Sequence, residues 1–320
     1  MSLLSMPAAE AAARALVLRR LELAVQGRLD GLTSGDYLTA ALGPGSERAG
    51  ARRYEAGDDA RAVDWNLTAR SDSVGVRQTE AARELETWVV ADRSASLDFG
   101  TADGEKRDVV LGAVAAYGML TVRGGNRFGL VLTGGDALRH LPARRGRTGM
   151  LAALAAVHDT PRPDAAPNPE ADLAAGLKRL RAVQPRRSQV VVVSDFLSDD
   201  EWAEPLAALA RHHQVVAVHV TDPRELTLPQ VGILAVVDAE TGRQRYVQTS
   251  SKTLRDRYAA AAAARQADIS RRIDRAGADY LHLSTDRDWL TDVVRHVTSR
   301  RRTRSAGMTD AIRRFAGSAR

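Results

Sequence analysis

The sequence predicts an α/β protein: a doubly wound, mostly parallel sheet with one antiparallel edge strand, preceded by a small helix-and-β appendage. Three observations carry this. From about residue 86 onward, short β-type segments alternate with helix-length segments, the pattern of parallel strands joined by crossover helices. The run Val190-Val191-Val192-Val193 is apolar on both faces, as a central strand covered by helices on each side must be. The Gly134-Gly135 pair separates two β-type segments by only a few residues, so those strands form a hairpin and one of them is an antiparallel edge.

Residues 8–29 are rich in Ala, Leu and Arg, with Leu16, Leu21 and Leu23 at helical spacing, and predict one amphipathic helix ending near Gly27. Residues 30–50 carry many Gly, Ser and Thr and read as loops with short strands. A dense polar stretch runs from Arg52 to Arg70, and Val74 to Gln78 reads as a short strand. Strands are then expected at 86–92, 127–132, 137–141, 189–194, 214–220 and 279–283. Helices are expected at 105–122, 149–158, 170–183, 201–212, 252–276 and 287–302. The Pro-rich segment 161–169 is a loop, and 231–248 is an extra hairpin turning at Glu240-Thr241-Gly242. The resulting division is an appendage over 1–84, an α/β domain over 85–302 and a basic tail over 303–320.

Composition bounds the function. Hydrophobic content of 44% with 27% charge describes a globular chain, and aromatics at 4% leave Ala, Leu and Val to build the core. No apolar run approaches the roughly 20 residues of a membrane helix. Met1 to Glu10 lacks the basic-then-apolar pattern of a signal peptide. The absence of cysteine excludes disulfides, thiolate metal sites and a Cys nucleophile, and fits a cytoplasmic protein. Net charge is +6, and residues 295–320 hold Arg295, Arg300, Arg301, Arg302, Arg304, Arg313, Arg314 and Arg320 against one acid, Asp310. No aromatic-bearing nucleic-acid module accompanies them, so the tail reads as a solvated helix end and nucleic acid as an unfavoured partner.

The chemistry-bearing run is Val89-Val90-Ala91-Asp92-Arg93-Ser94-Ala95-Ser96. A β-type segment ends in a carboxylate, and two serines follow at alternate positions on the loop. Asp195 ends the strand Val190 to Ser194 in the same way, and carboxyl ends of parallel strands are where such sheets form sites. Thr148 follows Gly146-Arg147 and opens an apolar helix (Met150, Leu151, Leu154), which sets its hydroxyl at a helix N-terminus. Hard oxygens of this kind suit a Mg²⁺ ion that keeps waters and an open position. Singly, each residue also serves as a strand terminator, cap or turn former.

The order of these residues resembles the von Willebrand factor A domain with its metal-ion-dependent adhesion site, over roughly 85–300. The resemblance implies Ser94 and Ser96 as direct ligands of Mg²⁺ (or Mn²⁺), Thr148 as a conformation-dependent ligand, and Asp92 and Asp195 as charged supports acting largely through water. A client's acidic side chain would complete the octahedron.

A second resemblance spans most of the chain. Arg52, Tyr54, Gly57, Asp58, Asp59, Arg61, Asp64, Trp65, Ala69 and Arg70, with Asn66-Leu67-Thr68 as a small departure, are similar to the signature of the bacterial domain of unknown function 58 family. Ser194-Asp195-Phe196-Leu197, Asp222-Pro223-Arg224-Glu225 and Asp238-Ala239-Glu240-Thr241-Gly242 resemble it as well. Members often carry two membrane helices near the N-terminus, and this chain is similar to the subset without them. The implied role is a metal-dependent protein-binding module, partner or adaptor of a MoxR-type AAA+ ATPase in assembling or activating other complexes.

The alternative is a Mg²⁺-dependent hydrolase or phosphatase using Asp92 as base or nucleophile. An aspartyl nucleophile of that kind wants a second carboxylate two residues on and a nearby lysine. Position 94 is Ser and lysine is rare, so no enzyme is expected. A Gly-x-Ser-x-Gly elbow, a phosphate-binding P-loop and a Gly-x-Gly-x-x-Gly fingerprint are all missing. The histidines (His140, His158, His212, His213, His219, His282 and His296) show no metal-ligand spacing, and His212-His213 reads as a surface helix end.

Overall fold

The computed structural model describes residues 8–32, 51–53, 63, 74–77, 86–101, 104–134, 136–162, 171–197, 200–237 and 243–299. Helix α1 spans Ala8–Leu32. A short antiparallel pair follows, β1 (Ala51–Arg53) and β2 (Gly75–Arg77), with Arg52 opposite Val76. The main chain of elements is β3 (Glu86–Asp92), α2 (Lys106–Arg123), β4 (Arg127–Thr133), β5 (Arg139–Arg145), α3 (Gly146–His158), α4 (Leu173–Val183) and β6 (Gln189–Ser194). It continues with α5 (Ala203–Ala210), β7 (Gln214–Thr221), α6 (Pro223–Leu226), the hairpin β8 (Ile233–Val237) and β9 (Gln244–Gln248), α7 (Lys252–Arg275), β10 (Asp279–Ser284) and α8 (289–299).

Six strands form one sheet in the order β10-β7-β6-β3-β4-β5. All neighbours are parallel except β4 and β5, the hairpin pair. The chain runs outward from β3 to β5, then returns to the other side of β3 to continue with β6. The sheet therefore reverses direction between β3 and β6, and a crevice opens there at the carboxyl ends of the strands.

Both faces of the sheet are covered, which is why the valine run has no polar side. Val191 and Val193 belong to the core under α2, α3 and α8, whereas Val190 and Val192 belong to the core under α4, α5 and α7. Gly112 on α2 leaves the room that the Trp289 ring fills, since a Cβ there would stand 2.6 Å from it. On the opposite face Gly176 of α4 closes onto the Thr133 methyl at the end of β4.

The first helix runs past Gly27 to Leu32, because an exposed glycine costs a helix too little to end it. Its buried side is Leu18, Val25 and Leu29, with Leu16 and Leu23 exposed. Those buried residues share the core of α2 and α3, and Glu22 receives both arms of the Arg147 guanidinium. The boundary at residue 84 thus divides chain segments, but not cores, for this helix. The Arg/Asp stretch lies outside the described residues apart from the β1 backbone and buried Val63, as do the tail 303–320, Glu240-Thr241-Gly242 and most of the Pro-rich loop.

Strand β5 begins and ends later than 137–141, and α3 begins at Gly146, with φ +74, instead of residue 149. His213 is buried and bonded to Ser188 Oγ at 3.0 Å, in place of the surface cap expected of it, while His212 is exposed.

Candidate functional site

Asp92 closes β3 and Asp195 follows the last residue of β6, so both carboxylates reach the crevice between those adjacent strands. Both are almost completely buried, at 2% and 1% exposure. Asp92 has both oxygens engaged: Ser94 N–H donates to Oδ1 at 2.9 Å and the Ser194 hydroxyl donates to Oδ2 at 2.6 Å. Burial and the neighbouring Asp195 charge push its pKa up to about 6, against the pull of those donors. The half-buried Ser94 and Ser96 hydroxyls lie 3.1 Å from each other, and Ser96 also bonds Asp195. Gly134, at φ +77, allows the end of β4 to press against this loop. A Cβ there would stand 2.2 Å from Ser94 N.

Asp195 faces a cation that the sequence reading did not find. Lys106, the first residue of α2, is completely buried, and its Nζ lies 2.7 Å from Asp195 Oδ2 and 2.5 Å from Glu225 Oε1. Burial disfavours charge on both partners. The Lys106 ammonium and its hydrogen bond nevertheless hold the Asp195 carboxyl below its ordinary value, and the two acids hold Lys106 above its own. Glu225, also raised by burial, completes a capping box on α6 by accepting from Asp222 N at 3.1 Å. Asp222 in turn accepts from Thr101 Oγ1, Thr285 Oγ1 and Arg224 N at 2.6, 2.6 and 2.8 Å. One buried carboxylate thereby joins the loops after β3, β7 and β10.

Thr148 does not join this group. β5 runs antiparallel, with its last residue Arg145 paired to Arg127 at the start of β4, while Asp92 pairs with Thr133 at the end of β4. Thr148 is therefore exposed in the first turn of α3 at the amino end of the parallel strands. Six strand positions, about 20 Å at 3.3 Å per residue, lie between the two ends. A ligand role for Thr148 needs the chain to return to the crevice after the hairpin, and an antiparallel strand carries it the other way.

The residues present do not fit a divalent ion. An ammonium occupies the space beside Asp195, Asp92 accepts from Ser94 N–H of its own loop and from the Ser194 hydroxyl at the end of β6, and the threonine is at the far end of the sheet. Among the described residues, no group of three or more His, Cys, Asp or Glu side chains is arranged to hold a metal.

Lys106, Asp222 and Glu225 are the residues that sequence reasoning missed as a site. A signal existed: Lys106, Lys178 and Lys252 are the only lysines among 46 basic residues. A compact ammonium suits a closed space between two carboxylates better than a guanidinium fork does.

Beside the network lies a cavity of about 410 Å³ between the ends of β6 and β7 and helix α7, lined by Asp195, His219, Glu225, Tyr258, Arg265 and Gln266 among others. His219 is 2% exposed, with Nδ1 2.9 Å from the Tyr280 hydroxyl. Burial and the nearby His282 lower its pKa to about 4.

Residues 50–268 match the family model described as protein of unknown function DUF58. An uncharacterized protein of Mycobacterium tuberculosis is 47% identical over 293 residues, covering 92% of both chains. An uncharacterized protein of the moxR 3' region of Paracoccus denitrificans is 42% identical over 83 residues, which is 23% of this chain and 78% of that one. Among solved structures, BatB from Bacteroides thetaiotaomicron matches with a TM-score of 0.40 at 12% identity, covering 67% of this chain and 98% of that one. A von Willebrand factor type A protein from Catenulispora acidiphila matches with 0.33 at 15%, covering 44% and 34%. No described helix is long and apolar enough to cross a membrane. The family model spans more than half of the chain, and the chain belongs to the DUF58 family.

Proposed function

We propose that this chain is a non-catalytic protein-binding module that works with a MoxR-type AAA+ ATPase in the cytoplasm, and that it binds through the carboxyl end of its sheet. The observation that carries this is where the apolar surface lies. Among the described residues from Glu86 onward, the exposed large hydrophobics are Phe99, Leu197, Val231, Ile233, Val236, Tyr246 and Tyr258. All follow the carboxyl ends of β3, β6 or β7, and Ile233 and Tyr246 are 71% and 74% exposed. Apolar side chains left exposed together at this end offer a surface for another protein, beside the separate exposed Leu16, Val17 and Leu23 of α1 and Val74. The moxR-region relative in Paracoccus supports the choice of partner.

The hydrolase reading is weaker. Asp92 has no free oxygen facing open space, and Asp195 is bound to Lys106. Neither carboxylate is positioned to meet a substrate.

The test is a titration of the purified chain against a purified MoxR-type ATPase of the same organism, with ATP, with ADP and without nucleotide. Binding is expected in at least one state, with a loss of about tenfold or more for Ile233→Asp/Tyr246→Asp, a typical effect of removing interface anchors. No binding in any state, or full binding by the folded double variant, would overturn the reading.

A further inference from the structure

Asp92 and Asp195 are buried at the ends of neighbouring strands, and the fold sets an ammonium of its own chain against Asp195. Lys106 sits at the first position of α2, where the helix dipole opposes a positive charge, and its side chain is wholly excluded from water. Both effects work against an ammonium in this place. It stays because Asp195 and Glu225 hold it at 2.7 and 2.5 Å. The backbone fixes it as well. Lys106 N–H donates to Phe99 O at 2.8 Å, which closes the loop carrying Ser94 and Ser96, and the capping box between Glu105 and Asp108 sets the start of the helix. The remaining oxygens are used among themselves. Asp92 accepts from Ser94 and Ser194, Asp195 Oδ1 accepts from Leu197 N at 3.1 Å, and the two serine hydroxyls lie against each other.

We propose that Lys106 is the permanent cation of this crevice, that its ammonium neutralises Asp195 and Glu225 in place of a divalent ion, and that the chain does not bind Mg²⁺ or Mn²⁺ between Asp92 and Asp195. A magnesium ion takes oxygens at about 2.0–2.1 Å in a near-ideal octahedron. Both Asp195 oxygens are already engaged, Oδ2 by the ammonium at 2.7 Å and Oδ1 by Leu197 N–H at 3.1 Å, and neither is offered to such an octahedron. The serine loop is then held in one state whatever the divalent ion concentration. Partner docking at this end, where it rests on the function proposed above, proceeds equally in EDTA. The metal experiment does not involve the partner, so the two readings fail separately.

The test uses the full chain and Mn²⁺ alone. The wild-type protein is expected to show no saturable Mn²⁺ binding by calorimetry or electron paramagnetic resonance, and no change in Tm between EDTA and Mg²⁺. Lys106→Ala opens the position. It should melt lower in EDTA, bind Mn²⁺ saturably, recover Tm on binding, and lose that binding when Ser94→Ala is added. Saturable Mn²⁺ binding by the wild type that Ser94→Ala abolishes would overturn the proposal, as would a folded Lys106→Ala that remains indifferent to Mn²⁺. Should Lys106→Ala fail to fold, the wild type decides by itself. The ¹⁵N-lysine spectrum should show one ammonium slow in hydrogen exchange and unbroadened by Mn²⁺, and broadening of that signal at stoichiometric Mn²⁺ would overturn the proposal.

Discussion

The two ends of the central sheet are built on opposite plans. At the amino end the strands open with Glu86, Arg127, Gln189, Gln214 and Asp279, polar groups left in contact with water; Arg127 and Glu86 approach to 3.8 Å as a loose surface pair. At the carboxyl end the polar groups Asp92, Thr133, Ser194, Asp195 and Thr221 are buried, and Phe99, Leu197, Ile233 and Tyr246 are exposed. Surface pairs of the first kind contribute little to stability. A buried carboxylate is tolerated only with donors or a countercharge around it. The inversion supports the carboxyl end as the binding end proposed above.

Breaking the buried end should cost the most. Lys106→Ala in EDTA leaves Asp195 and Glu225 without their cation and is expected to lower unfolding free energy by about 3–5 kcal/mol in urea denaturation. Next comes pH. His219 is held neutral in the fold, with its pKa at about 4 against 6.5 in the unfolded chain. The unfolded state takes up the proton first, so stability is full above pH 6.5 and falls as pH drops toward 4. The fall from this group is on the order of 3 kcal/mol. His219→Gln should flatten that part of the stability–pH curve, and an unchanged slope would remove His219 as its source. Gly134→Ala forces a Cβ into Ser94 N at an unfavourable φ and is expected to cost about 2 kcal/mol or more, read as a lower denaturation midpoint. The smallest effect is at the other end. Thr148→Ala, on an exposed first turn, should change stability by less than about 0.5 kcal/mol and leave partner binding untouched. A large loss there would contradict the assignment of the two ends.

The architecture was legible because periodicity reports burial. The valine run, the glycine-bounded hairpin and the spacing of the crossovers specify a doubly wound sheet without any knowledge of contacts, whereas the strand order β10-β7-β6-β3-β4-β5 is seen only in the structure. Asp92, Ser94, Ser96 and Asp195 were legible for the same reason, since a residue ending a parallel strand must come out at the carboxyl end. Thr148 was grouped with them only through the resemblance, which does not fix the end of the sheet at which its helix starts. Strand β5 reverses the chain, and its direction decides the end at which α3 starts. Lys106 and Glu225 were not legible as partners, because nothing local encodes a contact between residues 119 apart. The family stretch Asp222-Pro223-Arg224-Glu225 marked the place without disclosing what its acid binds.

The first residue of α2 also sets how this crevice meets its surroundings. A bound ion exchanges with the cell: it can be stripped by a chelator, displaced by another metal, or lost when supply falls. A side chain tethered to a helix does not exchange with its surroundings. The charge opposite Asp195 is inherited with the gene and present from the moment the chain folds.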